Sequence, residues 1–254
     1  MSLRSLSVLA RGSSALTNVN SVLLDGSNEY IDCGNVTPTT DMSVFAWARW
    51  NSAAVNLVIV GKWEASDSER SFLISASDTD SSKMLVLLSG SGSAAQKTYR
   101  GSVTCLQTSA WHFVGFTFVG GTDTLKCFVD GVEDTGLTKV SDTALTGGAI
   151  FNSAAKCMIG ALSKNAGGAI ASYWNGYIDQ VTMWNKALSG AEITELYGAG
   201  EPPDARVHSA AANLIHYWPL GEGSDTNTLF EDYAGSNDGT GVNIESGDIQ
   251  TDIP

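Results

Sequence analysis

From Val22 to Trp184 the chain is cut into strand-length apolar runs by clusters of Gly, Ser, Asn and Asp, and this rhythm predicts an antiparallel all-β fold. In Met42–Trp50, alternation sets Val44, Ala46, Ala48 and Trp50 on one face and Phe45, Trp47 and Arg49 on the other. Trp111–Val119 is apolar on both faces apart from His112 and Thr117, which marks a central strand. Leu125–Val129 is followed by Asp130-Gly131 and Val132; Asp-Gly supplies the positive φ angles of a type I′ turn, so a hairpin is expected there.

One helix is expected. Ser189-Gly-Ala-Glu192 has the spacing of a capping box, Ile193, Leu196 and Tyr197 form one apolar stripe, and Gly198 or Gly200 ends the turn. Beyond it, Glu201-Pro-Pro-Asp204 reads as a rigid connector. The remainder carries one apolar cluster, Leu214–Leu220, too small to fold alone. Three segments follow: an N-terminal arm (1–19), a sandwich (20–200), and an extension (201–254) packed on the sandwich or on a neighbouring chain.

With 254 residues and 43% hydrophobic content, the chain can bury one large core. Its net charge is −13 and its 14 Lys and Arg are scattered singly, so neither nucleic acid nor an anionic membrane surface is an expected partner. No apolar run reaches the roughly 18 residues of a membrane span, and Met1–Gly12 lacks a continuous signal-like apolar region, so the chain reads as soluble and made in the cytoplasm. Cys33, Cys105, Cys127 and Cys157 are dispersed without a C-x-x-C pair, which argues against structural zinc; Cys105 and Cys127, in strand-like runs, read as small buried hydrophobes.

Catalytic patterns are missing. A sandwich glucanase carries Glu-x-Asp-x-x-Glu on one strand, and no such string occurs; Glu29 and Asp32 point to opposite strand faces, and Glu64, Asp67 and Glu69 have the wrong order. No G-x-S-x-G elbow occurs, and His112, His208 and His216 have no partner nearby in sequence. Asp78–Lys83 begins like an EF-hand loop but has Lys83 where the turn needs Gly.

Val22–Gly34, the strand Val44–Trp50, Gly61-Lys62-Trp63, Ser109–Val114, Leu125–Gly131 and above all Trp174–Tyr197 resemble, in order, the strands and closing helix of the laminin-G-like, concanavalin A-like jelly-roll family. The resemblance implies a two-sheet antiparallel jelly-roll sandwich and leaves function open, because this scaffold hosts lectins, adhesins, virion proteins and hydrolases. Trp218–Ser224 and Asp232–Thr240 resemble a segment that usually opens such a domain but here follows the body, an order similar to that of phage and other virion surface proteins.

By alternation Asp179 shares a face with Tyr177, Val181 and Met183, where a bare carboxylate is costly. The resemblance implies that Asp179 binds a structural Ca²⁺ with backbone carbonyls near Asp25 and Gly26; the other reading is a carboxylate accepting backbone amide bonds. Trp63, in a loop after Lys62, and Trp174 are candidates to stack on sugar rings, or else packing residues. Leu3 and Leu6 in the arm, and Tyr217, Trp218 and Leu220 in the extension, are candidates for assembly contacts, unless the extension closes its own sandwich. The expected function is a non-catalytic recognition module, most simply a virion surface component (capsid decoration or tail protein) in a homo-oligomer or larger complex of assembly subunits, with cell-surface glycans as ligands. The alternatives are a free calcium-dependent lectin or adhesin at the cell surface, and a glycoside hydrolase.

Overall fold

A computed structural model describes residues 15–50, 54–64, 67–106, 110–164 and 168–254. Two antiparallel sheets pack face to face. The first runs Val132–Glu133, Thr124–Val129, His112–Val119, Met42–Trp50, Asn175–Trp184, Ser21–Asp25 and Ile249–Gln250, with Leu214–Trp218 also paired to Asn175–Trp184. The second runs Thr138–Asp142, Lys97–Thr104, Lys83–Leu88, Glu69–Ala76, Val58–Glu64, Cys157–Ile159, Tyr30–Asp32, Gly239–Val242 and Leu229–Phe230; Leu162–Ser163 makes one parallel contact with the end of Val58–Glu64 and pairs with Ile170–Ala171.

Alternation decides which side chains fill the space between the sheets. Val44, Ala46, Ala48 and Trp50 enter the inter-sheet core, while Phe45 and Trp47 join a second apolar cluster on the outer face of the first sheet. His112–Val119 lies between two partners, as its two apolar faces predict. Gly115 faces Phe45 at a point where a Cβ would stand 2.3 Å from the Val44 carbonyl oxygen, so glycine lets the two strands approach. Asp130 and Gly131 take φ angles of 50° and 78°, forming the expected hairpin with Val129 opposite Val132.

The helix spans Gly190–Tyr197. Ser189 and Glu192 form the capping box, and Gly198 closes it in the left-handed conformation. Its Ile193 and Leu196 bury against Phe45, Phe113, Trp184 and Tyr217, so the helix covers a sheet face and not the end of the sandwich.

The extension completes both sheets of its own chain. Leu214–Trp218 pairs with the second half of Asn175–Trp184, where Val181 faces Trp218, and Ser21–Asp25 takes the first half of the same edge. Gly239–Val242 pairs with Tyr30–Asp32 in the other sheet. Trp218, Leu220, Phe230 and Ile244 all enter the inter-sheet core. Asp232 fixes the connecting loop: its fully buried carboxylate accepts the backbone N–H groups of Tyr217 (3.0 Å), Ala234 (3.2 Å), Gly235 (2.8 Å) and Asn237 (3.1 Å), and pairs with His216 Nδ1 at 2.7 Å. Five donors on two oxygens that offer about four acceptor sites use the whole accepting capacity of the carboxylate.

Candidate functional site

The two outer sheet faces differ. Helix and extension cover that of the first sheet. On the second, Tyr30 and Asp32 point outward on either side of core Ile31, and Met158 does so between core residues Cys157 and Ile159. Register sets Met158 between Asp32 and Gly61, at the middle of Val58–Glu64, with Tyr30 toward the start of that strand and Glu64 at its far end. The result is a groove of about 490 Å³ lined by Tyr30, Asp32, Glu64, Asp67, Lys156 and Met158, with Glu69, Ser163 and Ile170 at its wall. That volume lies within the roughly 300–1,000 Å³ usual for small-ligand sites.

The groove offers one aromatic ring, apolar Met158 and Ile170, and a dense set of carboxylates. Tyr30 stands 6.3 Å from the Tyr173 ring at 45°. Lys156 forms an ion pair with Asp32, which holds the ammonium above its usual pKa. Glu69 accepts the Ala154 backbone N–H. Glu64 is 7% exposed, its Oε1 has no hydrogen-bond partner, and burial together with the adjacent Asp67 carboxyl raises its pKa above the ordinary value. A buried carboxylate oxygen without a donor is costly. Sequence reading discarded Glu64, Asp67 and Glu69 as a catalytic string, and did not see that a turn and strand pairing gather them with Asp32. It missed Tyr30, Lys156 and Met158 as well. Alternation alone puts Tyr30 and Asp32 on one face, but the pairing of Tyr30–Asp32 with Cys157–Ile159 is a contact between distant segments.

The expected calcium set does not assemble. Gln180 adopts φ 48° and shifts the register between Asp179 and Thr182, which breaks the assumed alternation. Val181 and Met183 enter the core while Asp179 lies in the layer above the first sheet. There its fully buried carboxyl accepts Asn18 Nδ2 at 2.9 Å and the Gln180 N–H at 2.8 Å, and burial pushes its pKa well above the usual range. Asp25 instead pairs with Asn175, four residues before Asp179 on the same strand; its carboxylate accepts the Ser27 N–H at 2.7 Å and its carbonyl accepts Asn175 Nδ2 at 3.1 Å. Gly26, at φ 78°, turns away from Asp179 with that loop. These residues do not form one donor set for Ca²⁺.

The tryptophans also need correction as sugar platforms. Trp174 is 0% exposed and stacks on Trp50 at 5.9 Å. Trp63 is 6% exposed, lies in a strand and not a loop, and packs with Val58, Leu73 and Leu162 under the Arg70 guanidinium. Neither indole has a face free for a ligand. Tyr217, Trp218 and Leu220 are buried in their own chain, at 1%, 0% and 0% exposure, so they are sandwich residues and not interface anchors. Leu3 and Leu6 lie outside the described residues.

A family model for the concanavalin A-like lectin/glucanases superfamily, of the laminin G type, matches residues 25–194. Among solved structures, a proposed carbohydrate-binding protein from Bacteroides ovatus superposes with a TM-score of 0.66 at 17% identity, over 91% of this chain and 60% of that one. This chain thus spans less than two thirds of that protein's length. The CBM40 module of the Ruminococcus gnavus IT-sialidase, solved with α2,3-sialyllactose, gives 0.54 at 13% identity over 70% and 96% of the two chains. A heptameric SAP-like pentraxin from Limulus polyphemus gives 0.52 at 14% identity over 71% and 82%. At these identities the likeness is one of fold. A search of curated proteins gives no significant match.

Proposed function

The chain belongs to the concanavalin A-like lectin/glucanases superfamily, and on that premise we propose that it is a non-catalytic glycan-recognition module whose site is the groove on the open sheet. The observation that carries this reading is the composition of the groove: an outward tyrosine ring beside Met158, with polar acceptors along its walls, on the outer sheet face that neither the helix nor Leu214–Trp218 covers. Sugar rings present an apolar face that packs on an aromatic plane and hydroxyl donors that match carboxylates. Two relatives of similar fold, one proposed to bind carbohydrate and one solved with a sialylated sugar, support the choice of ligand class. The carboxylates support binding over hydrolysis. A glycosidase holds its two acids roughly 5–10 Å apart across the scissile bond, whereas Glu64 hydrogen-bonds Asp67 and Asp32 is ion-paired with Lys156. The test is a glycan array followed by calorimetry. Tyr30→Ala should weaken binding at least about tenfold; an array with no hits, or a variant that binds like the parent, would refute the site.

The setting proposed for this module is a virion surface, as a capsid decoration or tail component. Its support is the order of segments, with a domain-opening type of sequence placed after the body. Because the extension completes its own sandwich, attachment to other subunits falls to the arm, with Leu3 and Leu6. Removal of residues 1–14 should leave folding intact and abolish incorporation into the native assembly; incorporation at the full-length level would contradict this.

A further inference from the structure

We infer that the groove is built for a cationic amino sugar, a glucosamine-type unit with a free ammonium, and excludes anionic sugars. This rests on the glycan-recognition reading above and names the ligand class. Four carboxylates, Asp32, Glu64, Asp67 and Glu69, face one groove, and Lys156 is the one cation among its described lining residues. Lys156 is already held by Asp32, so a sugar carboxylate entering here would meet three further acids and a neutralised lysine. The independent sign of a missing partner is Glu64. It is buried to 7% exposure with Oε1 unpaired, and Asp67, itself an acid, is its hydrogen-bond neighbour. An acceptor of this kind calls for a donor that brings positive charge. An ammonium carries three N–H donors and compensates the charge of a Glu64–Asp67 pair, which a hydroxyl does only in part. Tyr30 lines the same groove toward its other end, so it gives a further unit of an oligomer an aromatic surface, and an aromatic face also attracts a cation.

The test uses the full chain with three probes at fixed salt: a glucosamine oligomer, its N-acetylated counterpart, and α2,3-sialyllactose. The parent should bind the free-amine oligomer at least tenfold more tightly than the N-acetylated one and give no signal with sialyllactose. Glu64→Gln, which keeps the shape of the side chain, should reduce that preference to less than about threefold at unchanged melting temperature. Equal binding of the two oligomers, or tighter binding of sialyllactose, overturns the inference and leaves glycan recognition standing. A preference that survives Glu64→Gln also overturns it, because the general acidity of the chain would then be the cause. Binding of no probe, together with an empty glycan array, overturns both readings.

Discussion

Asp232→Asn should destabilise the whole sandwich, because this one carboxylate ties Leu214–Trp218, a strand of the first sheet, to the loop that leads into Gly239–Val242 of the second. Oδ1 accepts three backbone N–H groups, and Oδ2 accepts the Asn237 N–H at 3.1 Å and meets His216 Nδ1 at 2.7 Å. In the asparagine variant one oxygen becomes an NH₂ group. Placed at Oδ2, it sets donor against donor at Asn237, and the bonds to Oδ1 lose their charge assistance. A hydrogen bond to a charged group contributes roughly 1.5–3 kcal/mol, and an orphaned buried donor costs about 1–3. Since the remaining bonds persist in weakened form, the expected loss is about 3 kcal/mol. For a chain of this size each kcal/mol lowers Tm by about 2–4 °C, so the drop should be about 6–12 °C. Urea unfolding followed by tryptophan fluorescence and far-ultraviolet circular dichroism measures it. The native network holds the Asp232 pKa below its ordinary value. Its contribution is therefore complete above the ordinary carboxylate pKa and is lost as pH falls through the lower folded value, so the gap between parent and variant should narrow in acid. A loss under 1 kcal/mol, or unfolding in two steps with the extension melting first, would refute the view that the extension is part of one cooperative sandwich.

Trp218→Ala, which empties a fully buried indole site and removes the 2.9 Å bond from Nε1 to the Asn237 carbonyl, should cost about 3–5 kcal/mol by denaturant titration. Glu29 is pushed up to about 6 by burial and by Asp248, Asp25 and Glu245, while its Oε2 accepts the Asp25 N–H at 2.7 Å. The folded state holds this proton more tightly than the unfolded one, so stability declines as pH rises from about 4.5 to 6. Glu29→Gln should then gain about 1 kcal/mol at pH 7 and nothing near pH 4, in melts at both values. The four cysteines are buried and free, and burial pushes the Cys105 and Cys157 thiols up to about 12; all four should resist a thiol reagent until the protein is unfolded.

Local signals in the sequence translated directly into structure. The Asp130-Gly131 turn, the Ser189–Glu192 capping box and the two faces of Met42–Trp50 depend on neighbours within a few residues, and each formed as its chemistry requires. Asp179 was misplaced because strict alternation has no means to register the left-handed Gln180, a single residue that shifts the pairing. Trp63 and Trp174 show the limit of reading aromatic residues by type: whether an indole meets solvent depends on Leu73, Leu162 and Trp50, which lie elsewhere in the sequence. The extension looked too small to fold alone. Its apolar side chains instead fill places in a core built by the rest of the chain, a complementarity with no local trace. The groove was invisible for the same reason, since its walls come from Tyr30–Asp32, the end of Val58–Glu64 and Ala154–Met158.

A crystal structure of the protein with a glycan drawn from the array hits locates the binding site directly. A sugar ring is expected against Tyr30, with donor groups on the carboxylates that line the groove. A glycan bound on any other surface, with the groove unchanged, would contradict that expectation.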